Sequence, residues 1–179
     1  PWKQATYSRI LLGLKAVGVK FIDPIVSNST KHIHILYPVI SFNSRNKAPD
    51  DNINNASVLY QICLADKKML FTGDIETEGW DCVNTCQPYL CDSTYYCISH
   101  HGSITGHLRN KCAYPRNIIS AVDECAVNSD VQILMGRDKA YSGIFSQKVL
   151  NSKFSNIVKT EDAKNYVQLD WETGKYSKY

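Results

Sequence analysis

No apolar run in these 179 residues approaches the ~18 residues that a membrane-spanning helix needs. The longest, at 33–40, is interrupted by Tyr37-Pro38. A membrane contact by this chain is therefore not expected. The sequence also lacks an initiator Met. It opens on Pro1-Trp2 with no basic-then-apolar leader pattern behind it. The expectation is a chain whose upstream part is missing. No Lys/Arg cluster is present, and the formal net charge of +3 is too mild to argue for nucleic acid by charge alone. Paired C-x2-C knuckles are absent as well. The seven cysteines include Cys82, Cys86, Cys91 and Cys97, but their spacing is C-x3-C-x4-C-x5-C. Structural zinc sites favour the tighter pairs. A chain of this length can bury a core without disulfides, so the thiols point to a reducing, cytoplasmic compartment.

What is present reads as one domain spanning 1–179, of the α/β class with layered helices and strands. Residues 8–16 carry Ile10, Leu11 and Leu14 at helical spacing, with Val17 just beyond. A short strand is expected at 19–22. Residues 32–37 alternate and end at Pro38, which reads as a strand. His32 and His34 fall on one face of it. They look like a metal pair, yet no Asp or His follows to complete a site, so they are read as the polar face of an edge strand. Residues 41–55 form a long polar loop rich in turn formers. Strands at 57–64 and 68–72 follow, joined by a tight turn at Asp66-Lys67-Lys68 into an antiparallel hairpin. A helix is expected after Asp74, ending at Gln87-Pro88, and a strand at 94–99. Residues 104–116 read as a loop, with strands at 117–122 and 131–135. A helix at 145–150, a strand at 157–159 and a terminal hairpin turning at Thr173-Gly174 complete the pattern.

Two strand ends carry the chemistry. Met69-Leu70-Phe71-Thr72-Gly73-Asp74 is an apolar run that stops at Gly-Asp. Tyr96-Cys97-Ile98-Ser99-His100-His101-Gly102-Ser103 is another, stopping at a histidine pair before Gly. One helix-length segment separates them, so the strands can lie side by side with both ends facing one crevice. Asp74 supplies a hard carboxylate and a histidine an imidazole, a donor set that suits Zn2+, Mn2+ or Fe. Gly73 and Gly102 let the backbone turn sharply there. One of His100 and His101 is expected to ligate a metal with Asp74, and the other to point to the opposite side, or to hydrogen-bond substrate and donate a proton. Ser103, and Asn55 at the end of the polar loop, are expected to contact substrate.

Taken in order, Asn54-Asn55-Ala56-Ser57-Val58-Leu59, then Leu70-Phe71-Thr72-Gly73-Asp74, then His100-His101-Gly102-Ser103 resemble the metallo-β-lactamase fold. Within it they are most similar to the hydrolase domain of DNA-uptake competence proteins of the ComEC type. The resemblance spans roughly 19–150. It implies the carboxyl-terminal part of an αββα sandwich with a metal site at one sheet edge. Asp74 would match the bridging carboxylate and His100 the late histidine ligand, with His101 close behind. It further implies two metal ions, Zn2+ or Mn2+, and a metal-activated water attacking a phosphodiester or related ester. A nucleic acid or nucleotide is then the expected substrate. The family's H-x-H-x-D-H hallmark has no counterpart in this chain. The remaining ligands are accordingly expected on an upstream segment of the same protein. Two alternatives stand beside this reading. One is a degenerate family member that binds or scaffolds without catalysis. The other is an unrelated α/β domain with structural zinc on the cysteine cluster.

Overall fold

The structure, a computed structural model, describes residues 9, 12–19, 31–37, 53–76, 79–80, 83, 93–107, 129–151, 154 and 156–179. Six strands form one mixed sheet: β1 (Ile33–Tyr37), β2 (Leu59–Leu64), β3 (Lys67–Phe71), β4 (Tyr95–Cys97), β5 (Val131–Leu134) and β6 (Ile157–Lys159). Their order in the sheet is their order in the chain. β1, β2 and β3 are antiparallel neighbours, whereas β3, β4, β5 and β6 run parallel. Two further strands, β7 (Val167–Leu169) and β8 (Tyr176–Lys178), form a separate hairpin. Two short helices follow strand ends: α1 (Ile104–His107) and α2 (Gln147–Leu150). The α/β class is therefore observed.

Strand alternation builds two cores, one on each face of the sheet. Tyr95 and Tyr96 are consecutive, fully buried, and belong to opposite cores. Leu36, Leu70, Tyr96 and Leu134 face a layer that includes Trp80, Val83, Phe145 and Val149. Gly79, Trp80 and Val83 are helical, as expected for the segment after Asp74. Tyr95, Val131 and Val158 face the other way, where Val167, Leu169 and Trp171 of the hairpin region cover them. The hairpin is pinned as well as packed. The Trp171 indole N–H donates to the Leu64 carbonyl at 3.1 Å, and the Tyr95 hydroxyl donates to the Trp171 carbonyl at 2.7 Å.

Two buried glutamines on the sheet find partners, as buried amides must. Gln61 Nε2 donates to Ser93 Oγ at 2.9 Å. Gln132 Nε2 donates to the Ser129 carbonyl at 2.7 Å, and its Oε1 accepts from the Asn156 amide at 2.9 Å. Gln61 thus ties β2 to the chain entering β4, two strands away, and Gln132 ties β5 to the chain entering β6.

Several boundaries differ from the sequence expectation. The β2–β3 turn is Ala65-Asp66, with Leu64 paired to Lys67, one residue earlier than expected. Ala65 takes a left-handed φ of 53° there, which lets the chain reverse in two residues. Residues 104–107 are helical rather than loop. α2 starts at Gln147 because Phe145 has a φ of 50°, outside the helical region. Residues 20–22 and 117–122 of the expected strands and the bulk of the 41–55 loop lie outside the described residues, as do Cys82, Cys86 and Cys91. Among the described residues no helix is long and apolar enough to cross a membrane.

Burial pushes the Cys97 thiol from 9.0 up to about 12. The folded state therefore keeps a proton that the unfolded chain releases. This contribution is intact below pH 9 and is lost as the pH climbs toward 12. Urea denaturation across that range should show stability falling less steeply in Cys97→Ala than in the parent chain. Identical slopes would mean that the thiol ionises as readily in the fold as outside it.

Candidate functional site

The parallel pairing of β3 with β4 matches Met69 to Tyr95 and Leu70 to Tyr96. Both strands consequently leave the sheet at the same edge. Thr72 Oγ1 donates to the Cys97 carbonyl at 2.9 Å, stitching the two exits together. The His100 amide donates to the Gly73 carbonyl at 3.0 Å. Gly73 adopts a φ of +57°, and a Cβ there would lie 3.0 Å from Ser57 Cβ and Oγ. The close approach lets the Asp74 amide donate to Ser57 Oγ at 2.9 Å, which orients the carboxylate.

The β4 exit is strained. His100 has φ 45°, ψ 46° and His101 has φ 50°, ψ 33°, followed by Gly102 at φ 70°. A left-handed conformation costs a non-glycine residue about 1–2 kcal/mol. The turn is held because each of its carbonyls accepts a hydrogen bond from further along the chain. The Ser103 amide donates to His100, Phe145 to His101 and Ser146 to Gly102, at 2.8, 2.9 and 3.0 Å. The segment before α2 is thus strapped across the histidine turn.

This backbone sends the two imidazoles to different carboxylates. His101 Nε2 lies 3.3 Å from Asp74 Oδ1, and its Nδ1 lies 2.9 Å from the Met135 carbonyl oxygen. A carbonyl only accepts, so Nδ1 carries the hydrogen. In the neutral ring, the Nε2 lone pair then faces a carboxylate oxygen. Two acceptors at this distance are compatible only with a proton or a cation shared between them. His100 Nδ1 instead lies 3.2 Å from Glu76 Oε1 and 3.3 Å from Thr105 Oγ1. Glu76 is itself gripped at both ends. Asn54 Nδ2 donates to its Oε1 at 2.7 Å, and its own amide donates to Asn55 Oδ1 at 2.9 Å. The His100–Glu76 pair is the more buried of the two, with side chains 21% and 15% exposed against 36% and 44% for His101 and Asp74.

A crevice of about 630 Å3 opens over these groups. Asp74, His100, His101, Ser103 and Thr105 line one side, and residues 141–144 line the other. The expectation that Asp74, both histidines and Ser103 share a crevice is met. Asp74 meets His101 at 3.3 Å, whereas His100 meets Glu76 at 3.2 Å. Asn55 does not reach the crevice wall, and its side-chain oxygen serves the backbone of Glu76. His34 lies on β1 and His32 just before it, two strands away from β3. His34 Nδ1 is 3.6 Å from Cys63 Sγ, and His32 Nδ1 is 3.3 Å from the Cys63 carbonyl. Glu76, the Met135 carbonyl and residues 141–144 were not foreseen. Only Glu76 carries a signal, as a second acid two positions after Asp74 in the segment expected to be helical.

The donor chemistry fits a divalent cation in part. An imidazole whose far nitrogen is fixed by a backbone carbonyl is the usual arrangement of a metal-ligating histidine. Among the described residues, however, no group of three or more His, Cys, Asp and Glu side chains could hold a metal ion. The Asp74–His101 pair offers two donors, and a tetrahedral site needs four. Compared with protein-family models, curated proteins and solved structures, the chain finds no match.

Gly73→Ala would place a side chain at positive φ against Ser57 and should destabilise the protein by about 1 kcal/mol or more. Equilibrium urea denaturation reads this directly, and an unchanged midpoint would contradict the tight Gly73–Ser57 approach.

Proposed function

We propose that the crevice is the carboxyl-terminal share of a metal site in a hydrolase of the metallo-β-lactamase fold, acting on a phosphodiester or related ester. The observation that supports it is the facing of His101 Nε2 and Asp74 Oδ1 at 3.3 Å, with His101 Nδ1 committed to the Met135 carbonyl. Mixed nitrogen and carboxylate donors suit Zn2+ or Mn2+. The ligand role moves to His101 in this reading, with Asp74 as its partner. An upstream segment of the same protein supplies the missing donors, and the complete site holds two ions.

Each side chain of the crevice has a distinct part. His101 and Asp74 hold the cation. A bound divalent cation supplies Lewis-acid chemistry and lowers the pKa of water. Ser103 Oγ and Thr105 Oγ1, 3.1 Å apart, present hydroxyls for a substrate oxygen. Residues 141–144 form the opposite wall, and the exposed Tyr141 ring offers a flat apolar surface there. Such a surface suits the base of a nucleotide or nucleic acid. The alternative reading is a binding or scaffolding module of the same fold without catalysis. It draws on the presence of two donors where four are needed.

Calorimetric titration with Zn2+ of the protein together with the upstream segment that supplies the missing donors separates the two. The hydrolase reading expects a binding event that Asp74→Ala and His101→Ala each weaken by at least about 100-fold, since changing even an outer partner of a ligand costs about 10–100-fold. Both variants should retain their thermal melting profile without metal. Zinc binding that ignores both substitutions, or no binding at all, would count against the hydrolase and for the module.

A further inference from the structure

Glu76 has no part in the metal reading, yet it is the acid on which the more buried histidine rests. A carboxylate oxygen has no hydrogen to give. Glu76 Oε1 already accepts from Asn54 Nδ2 at 2.7 Å, so it acts as an acceptor toward both neighbours. The hydrogen on the 3.2 Å contact must therefore sit on His100 Nδ1. Thr105 Oγ1, at 3.3 Å from the same nitrogen, has Ser103 Oγ at 3.1 Å as a second partner. Packing limits the ring further. A Cβ at Gly106 would lie 2.7 Å from His100 Cβ, so α1 is pressed against the histidine where only glycine fits. Trp80 Nε1 donates to the Gly106 carbonyl at 3.0 Å and keeps that backbone in place.

The ring therefore has one nitrogen committed inward. His100 Nε2 has no hydrogen-bond partner among the described residues, and His100 lines the crevice. We propose that Glu76 is the positioning residue of His100: it fixes the Nδ1–H form and turns the Nε2 lone pair into the crevice, where it accepts a hydrogen bond from a hydroxyl or water of the bound substrate. The two histidines thus work alike by different anchors. A backbone carbonyl sets His101, and the Asn54–Glu76 pair sets His100. The substrate contact rests on the hydrolase reading of this crevice, whereas the ring form does not.

Nitrogen-15 spectra of histidine-labelled, metal-free chain at about pH 8.5, some two units above the ordinary imidazole value, report which ring nitrogen carries the hydrogen. The parent chain should show a pyrrole-type Nδ1 and a pyridine-type Nε2 for His100. Glu76→Gln keeps an acceptor oxygen and should preserve that pattern. Glu76→Ala should shift His100 toward averaged signals while His101, set by the Met135 carbonyl, stays as it was. The unchanged His101 signals also report that the variant is folded. An Nε2–H form of His100 in the parent chain overturns the proposal without any variant, and so does a His100 pattern that Glu76→Ala leaves untouched. In hydrolysis of bis(p-nitrophenyl) phosphate by the Zn2+-loaded protein that includes the upstream donors, Glu76→Ala should lower kcat about 10–100-fold with rescue by Glu76→Gln. Unaltered kcat and KM overturn the substrate contact. If Zn2+ fails to move the His101 signals in the protein that includes the upstream donors, and that protein hydrolyses nothing, the hydrolase reading falls. The assignment of Glu76 to His100 is then judged by the metal-free spectra alone.

Discussion

The parallel pairing of β3 with β4 is the constraint on which the rest of the structure depends. Two strands that run the same way leave a sheet at the same edge. Their following residues must then share space. Here those residues are Thr72-Gly73-Asp74 and Ser99-His100-His101-Gly102. The register is secured by burial on both faces at once. Tyr95 packs under the β7–β8 hairpin while Tyr96 enters the opposite core, and both are fully removed from solvent. A slip of one residue would exchange the two faces and lose both contacts.

That register makes a strained turn tolerable. Two consecutive left-handed histidines are unfavourable in isolation. The turn persists because its amides and carbonyls are bonded to Gly73 on one side and to Phe145 and Ser146 on the other. Strain at a crevice edge, offset by hydrogen bonds from two other segments, is a common feature of functional sites. It also explains why neighbouring histidines diverge. In an extended strand they would point to opposite faces, and in a helix they would be about 100° apart. The left-handed turn keeps both on the crevice and gives each its own anchor. Their ring centroids sit 6.5 Å apart.

The outcome is a crevice with two imidazoles of different character. His101 and Asp74 are the more exposed pair and face each other at 3.3 Å, a contact that a shared proton or a cation completes. His100 and Glu76 are the more buried pair and form a hydrogen-bonded unit, with His100 on the crevice wall.

Much of this was legible in the sequence, for a physical reason. Strands read out through period-two burial, and β1 through β6 were each anticipated to within a few residues at their ends. Gly73 before Asp74 and Gly102 after the histidines marked the sharp exits. The shared crevice of Asp74, His100, His101 and Ser103 followed from two apolar runs ending in polar residues. The partners could not be read in the same way. Whether Asp74 meets His100 or His101 depends on the sign of two backbone dihedrals, and residue identity does not set that sign for histidine. Glu76 gained its role because Asn54, 22 positions earlier, closes on it across the fold. The Met135 carbonyl is a backbone atom, which any residue there would supply. Local pattern and strand period determined the elements and the edge where chemistry gathers. Tertiary packing alone decided which nitrogen faces which oxygen, because those contacts join segments that share no local sequence.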